Sequence, residues 1–326
     1  MYQHCKTIVL SLLASASVAG GATISEDFAT DPASHGWQTF GDTNLFHWNA
    51  TNKNLEVTWD SSQPNSYFHH PLGTILSKSD DFSLAFDLRL ADITIGSNTN
   101  KPYTFQFAIG LIHFSEATDA GYLRGTGFNS PNLVEFDYFP DSGFGATVDP
   151  VLISAVNEYS DGGFTFPLEM APNNLFHISM TYTASNQTLV TVMTRNGQPF
   201  GPVADATLST NFSDLRVDQV AISSYSDAGQ DPSFAGSILA HGTVDNFLVT
   251  TPAPPVANVT GGFAGSSWQV QFQSSANWLY TLEKTTDFNT WSAASPAIHG
   301  NGGGMTLSDT NASGSKAFYR VSASRL

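Results

Sequence analysis

The run FSLAFDLRL, Phe82 to Leu90, sets Phe82, Leu84, Phe86, Leu88 and Leu90 against Ser83, Ala85, Asp87 and Arg89. Side chains on extended backbone point alternately to opposite faces, so a period of two builds a half-buried strand. FHISMTYT repeats the pattern with Phe176, Ile178, Met180 and Tyr182. TLVTVMTRNGQPF adds a strand that ends in an Asn-Gly turn at Asn196 and Gly197. Helical periodicity is nearly absent. Short strands separated by Gly, Pro, Asn and Asp turns predict an all-β chain folded as an antiparallel sandwich or jelly roll.

EDF, Glu26 to Phe28, opens the main domain and GTVDNFLVT, Gly242 to Thr250, closes it. Such terminal strands are expected to lie side by side. TPAPPVA, residues 251–257, carries three prolines and reads as a stiff linker. Beyond it, WQVQFQ, WLYTLEKTTDFNTW and AFYRVSA supply at least three strands of a second, small β domain. The expected organisation is a leader over residues 1–22, a main domain over 23–250, a linker over 251–257 and a small β domain over 258–326.

The leader begins MYQHCKTIVLSLLASASVAGGAT, with one lysine, an apolar stretch from Thr7 to Val18 and small residues from Ala19 to Ala22. That is the grammar of a secretory signal, too short to span a bilayer as a stable helix. The only cysteine, Cys5, lies inside it, so the mature chain has no disulfide, thiol nucleophile or cysteine metal ligand. An exported chain without cysteine fits a bacterial protein, secreted or held at the cell surface. Lysine and arginine total 12 against 28 aspartates and glutamates, a formal charge of −16. Nucleic acid and anionic membrane surfaces are thereby excluded as partners, whereas neutral glycans and divalent cations are not.

LVEFDYFPDSGFGATVDP, Leu133 to Pro150, places two carboxylates two positions apart in an apolar run and adds two more aspartates. On a strand, Val134, Phe136 and Tyr138 share one face, and Leu133, Glu135, Asp137 and Phe139 share the other. Three readings compete: a catalytic carboxylate pair, a cation site, or a solvated strand face.

The stretch resembles the metal-binding strand and loop of legume-type, concanavalin A-like lectins, in which a V-E-x-D strand leads to a further acid and then an Asp-Pro. GYLRG, Gly121 to Gly125, resembles a Gly-Tyr-Leu-Gly segment upstream in those lectins. The resemblance implies a concanavalin A-like jelly-roll sandwich followed by the small β domain. It also implies a calcium site of Glu135, Asp137, the Phe139 carbonyl, Asp141 and Asp149, ordering the loop from Asp137 to Asp149. Five residues after Asp149, where the family has a histidine ligand, this chain has Ser154. A transition-metal site thereby loses its nitrogen donor, while calcium, satisfied by oxygen, loses little.

Family 16 glycoside hydrolases share that jelly roll and place their catalytic acids on one strand as E-x-D-x-x-E or E-x-D-x-E. Here Phe139 and Pro140 stand where the acid/base belongs, and without a proton donor to the leaving oxygen the pair is not expected to cleave glycosides. Trp37, Trp48 and Trp59 fall within 25 residues. Exposed, they would form platforms for sugar rings; buried, they are core. Adjacent His69 and His70 point to opposite sides if extended and read as a surface loop. Glu26 or Asp27 with Asp245 would make a second, structural calcium site at the paired terminal strands. The tail, with YTLEKTTDFNTW, GNGGG and FYRV, resembles short C-terminal modules of secreted Planctomycetes and Verrucomicrobia proteins.

The expected function is noncatalytic, lectin-like binding of an extracellular polysaccharide or glycoconjugate. The alternatives are a structural or adhesive protein that binds no sugar, and a polysaccharide hydrolase or lyase with an unrecognised site.

Overall fold

The computed structural model describes residues 22–96, 106–124, 129–230, 237–252, 255–312 and 317–325. The expected leader, Cys5 included, lies outside these residues apart from Ala22. The described residues divide into two compact units, 22–252 and 255–325.

The first unit is an all-β jelly-roll sandwich, as the alternation predicts. Among the described residues one sheet has nine strands. Its path runs Gln198–Phe200, Thr188–Arg195, Phe176–Thr183, Phe82–Ile95, Ile238–Thr251, Asn54–Asp60 and Phe46–Asn49. Ala22–Glu26 pairs with Ile238–Thr251, and Ala206–Thr207 with Thr188–Arg195. The other sheet has seven strands in the order Tyr159–Asp161, Thr147–Ile153, Leu133–Phe139, Phe107–Ile112, Val217–Ser224, Ser66–Leu76 and Gln38–Phe40.

The two sheets share one core. Phe82, Leu84, Phe86, Leu88 and Leu90 are all buried in it, as their alternation requires. Phe86 meets Phe136 of the other sheet edge-on at 5.9 Å, and Trp59 meets Phe107 at 4.7 Å. These contacts assign Val134, Phe136 and Tyr138 to the inward face of the acidic strand and Glu135 and Asp137 to its outward face.

The Asn196-Gly197 turn joins its two strands with both residues at positive φ, 51° and 77°, and Arg195 opposite Gln198. This is the mirror-image turn whose twist matches a hairpin. The terminal strands pair antiparallel, from Ala22 opposite Thr251 to Glu26 opposite Phe247. Glu26 is turned inward, accepting from the Phe28 amide at 2.8 Å and lying 3.0 Å from His35 Nδ1.

His69 and His70 correct the loop reading. Both lie on the strand Ser66–Leu76, which continues through Pro71 and Gly73. They do point to opposite sides: His69 is buried 3.1 Å from Gln219 Oε1, and His70 Nε2 donates to the His35 carbonyl at 3.0 Å.

The second unit has its own small core of Val270, Phe272, Trp278, Tyr280, Leu282 and Leu307. Its strands Val256–Ala264, Ser267–Ser274 and Gly304–Asp309 form one sheet. Trp278–Thr285 and Phe318–Arg325 anchor another. The described strands end at Thr251 on one side and begin at Val256 on the other.

Candidate functional site

The outward face of the seven-stranded sheet is not open to solvent at the acidic strand. Glu135 is 0% and Asp137 1% exposed, and Asp149, directly opposite Asp137 on the next strand, is also buried. The cover is the segment from His113 to Arg124. It begins with the short helix Phe114–Ala117, whose first amide donates to Asp218 Oδ1 at 2.9 Å. Tyr67 donates its hydroxyl to the Ala117 carbonyl at 2.8 Å, and Tyr122 stacks on Tyr225. A Leu123–Asn129 bridge closes the end of the segment.

Arg124 then enters between the two acids. Its Nε donates to Glu135 Oε2 at 2.8 Å, and Nη2 donates to Asp137 Oδ2. Tyr225 donates its hydroxyl to the other Glu135 oxygen. Burial works against the Arg124 charge, but the carboxylates of Asp137 and Glu135 outweigh it and hold the guanidinium protonated far above its ordinary range. Burial first, and neighbouring charge second, push the Tyr67, Tyr122 and Tyr225 hydroxyls well above the usual phenol range. None of these phenols is poised as a base near neutrality.

The donor set does not fit the calcium site that the resemblance implies. Calcium takes six to eight oxygens, whereas three of the four carboxyl oxygens on Glu135 and Asp137 are engaged by Arg124 and Tyr225. Asp141 Oδ1 accepts from Gly143 within its own loop at 3.0 Å. Phe139 pairs with Thr147 in the sheet, and Ser154 Oγ accepts from the Val156 and Glu158 amides. Among the described residues, no group of three or more His, Cys, Asp or Glu is placed to hold a metal ion.

The tryptophans are likewise corrected as a sugar platform. Trp37 is 2% exposed and stacked on Phe68 at 5.0 Å, and Trp59 is 1% exposed. Trp48 is half-buried and donates its indole N–H to the Phe28 carbonyl at 2.9 Å. A ring covered by other side chains has no face left for a ligand.

The structure exposes phenylalanines instead, at the rim of the same sheet. The loop after the acidic strand carries Phe144, 63% exposed, and the loop after Tyr159–Asp161 carries Phe164 and Phe166, the latter 49% exposed. Phe144 and Phe166 stack at 5.4 Å with 28° between their planes, and Phe139 meets Phe164 at 5.8 Å. Backbone bonds lace the two loops together. Val148 and Thr165 exchange amide–carbonyl bonds of 3.1 and 3.0 Å, and the Leu168 amide donates to the Ala146 carbonyl at 2.9 Å. A cavity of about 360 Å³, lined in part by Tyr138, Pro140, Ala146, Pro167 and Glu169, opens among the same loops. The sequence signal for this platform was three phenylalanines in Gly- and Asp-rich loops, where a core role is not expected.

No protein-family model and no curated protein matches the chain. Among solved structures it is similar to peanut lectin with a nine-residue peptide, at 15% identity and a TM-score of 0.42, covering 71% of this chain and 98% of that one. It is also similar to lectin II from Ulex europaeus, at 11% identity and a TM-score of 0.45, covering 72% and 99%. A third similar structure is the PL-14 alginate lyase from Aplysia kurodai, at 11% identity and a TM-score of 0.44, covering 72% and 99%.

Proposed function

We propose that the chain is a secreted bacterial protein whose jelly roll binds an extracellular neutral glycan without cleaving it, through the phenylalanine rim. The observation that carries this reading is the stacked, exposed pair Phe144 and Phe166, held by loop-to-loop backbone bonds. Large apolar side chains kept in water on an ordered loop mark an interaction surface. Flat aromatic faces suit the apolar faces of sugar rings, and the adjoining cavity has room and a carboxylate, Glu169, for hydroxyl groups. The excess of acids favours an uncharged polysaccharide over an anionic one.

The noncatalytic part of the reading rests on the acids. Glu135 and Asp137 are buried under the cap and bound to Arg124, out of reach of a glycosidic bond. Glycosidase chemistry needs two carboxyls flanking the scissile bond. The reading requires no calcium at the acidic strand.

A glycan array of the mature chain beside a Phe144→Ala/Phe166→Ala variant tests the proposal. Binding to a neutral polysaccharide that the double variant loses, at an unchanged melting temperature, is the expected result. Self-association that the variant abolishes, with no glycan bound, would favour the adhesive alternative. Release of reducing ends or unsaturated sugars would place the protein among the enzymes.

A further inference from the structure

The acidic strand carries a second message, independent of what the rim binds. We infer that Arg124 is a built-in counter-ion: this chain satisfies Glu135 and Asp137 with its own guanidinium and takes no divalent ion there, and the same contact fastens the cap onto the sheet.

Two carboxylates on adjacent outward positions of a buried strand repel, and desolvation amplifies the repulsion. A counter-charge is therefore needed, and a guanidinium is suited to supply it. It is permanently charged and presents several N–H donors in one plane, so one group can reach two acceptors. Arg124 uses two different nitrogens for the two acids and is itself 2% exposed. Glu135 Oε1, the oxygen it does not reach, takes the Tyr225 hydroxyl.

A divalent cation entering this cluster would sit beside an existing positive charge and would have to displace both of its hydrogen bonds. The carboxyl oxygens left over are Asp137 Oδ1 and the pair on Asp149, with both Oδ1 atoms buried and without hydrogen-bond partners among the described residues. Three such oxygens are well short of the six to eight of a calcium shell.

Room for the Glu135 side chain is prepared in the backbone. Gly110 faces Glu135 across the strand pair, and a Cβ there would lie 2.7 Å from Glu135 Cγ and 2.1 Å from the Val134 carbonyl oxygen. Only glycine lets the two strands close with the Glu135 side chain in this position.

The experiment uses the full mature chain. Its melting temperature is measured in millimolar calcium, in millimolar manganese and in chelator, and metal binding is followed by equilibrium dialysis. The wild type is expected to melt alike in all three and to retain no ion. Arg124→Met, which keeps the aliphatic stem and deletes the charge, is expected to melt lower by roughly 6–20 °C, the effect of uncovering a buried charge in a domain of this size. Adding Glu135→Gln and Asp137→Asn to Arg124→Met is expected to recover part of that loss, because the charges that needed a partner are gone. Calcium or manganese that raises the wild-type melting temperature, or is retained on dialysis and released by Asp137→Asn, would overturn the inference. So would an Arg124→Met chain that melts like the wild type. If Arg124→Met does not fold, the wild-type metal measurements and the triple variant decide.

Discussion

Asp137 and Asp149 stand opposite each other on neighbouring antiparallel strands, and each keeps its Oδ1 buried without a hydrogen-bond partner among the described residues. Arg124 reaches Asp137 but is only a distant influence on Asp149. The pair is therefore unequal: burial raises both carboxyls above the usual carboxylate range, but Asp137 has a guanidinium bonded to it that opposes the shift, and Asp149 lacks a local counter-charge.

Burial, with Asp161 adding to it and Arg124 opposing it, pushes Asp149 up to about 7. In the unfolded chain the same group titrates near 3.9. Between these values the folded state holds a proton that the unfolded state has lost, so this group's contribution to stability falls as pH rises from about 4 to about 7 and is flat above. Asp149→Asn removes the penalty. The variant is expected to melt close to the wild type at pH 4 and above it at pH 8, with a ceiling of about 4 kcal/mol. Parallel melting curves across pH 4 to 8 check this, and a variant that loses stability at pH 8 would contradict it.

Gly110→Ala forces a methyl group into the Val134 carbonyl and the Glu135 side chain. A backbone atom cannot move aside as a flexible side chain does, so the strand pair must separate locally. The expected cost is roughly 3 kcal/mol or more, at the upper end of overpacking effects. Urea denaturation of the soluble variant measures it, and a midpoint within error of wild type would refute the close approach.

Trp37 and Phe144 give opposite signatures. Trp37→Ala empties a core position beside Phe28, Phe68 and Phe247 and is expected to cost about 3–5 kcal/mol. Phe144→Ala removes a largely solvated ring and should change stability by no more than about 0.5 kcal/mol while weakening glycan binding. Denaturation and binding measured on both variants separate core from surface. Reversal of the two effects would return the sugar platform to the tryptophans.

A fragment spanning residues 22–252 is expected to unfold cooperatively by itself and to keep glycan binding, because its core is complete without the small β unit. Ending the fragment at Val249 removes the partners of Ala22 and Thr23 and should lower its melting temperature by a few degrees. Equal melting of the two fragments would show that the terminal pairing contributes nothing.

Much of this architecture is legible in the sequence because period-two alternation reports a face buried beside a face left in water. Phe82 to Leu90 and Phe176 to Tyr182 fold as that rule says, and Asn196-Gly197 turns where it should. The same rule separated Val134, Phe136 and Tyr138 from Glu135 and Asp137. It did not reveal that the acidic face is also covered, because the cover comes from a loop with no periodicity of its own. The available signal was Arg124 itself, one of only 12 basic residues in the chain, standing eleven positions before Glu135 in GYLRG. The loop reading of His69 and His70 fails because both sit inside the strand Ser66–Leu76, which continues through Pro71 and Gly73. The roles of Trp37 and Trp59 stay open at the level of sequence, platform or core, because sequence gives the ring but not what lies over it.

Ala22 and Thr251 are paired neighbours at one end of the terminal strand pair, and this has a mechanical consequence. Tension applied through these two points would pull two antiparallel strands apart from their shared end. Hydrogen bonds loaded in that direction open one after another, like a zipper, instead of sharing the load as they do when strands are sheared. The domain would thus be compliant when tugged along its own chain, yet a load entering through the distant phenylalanine rim would bypass that seam and meet the interlocked sheets.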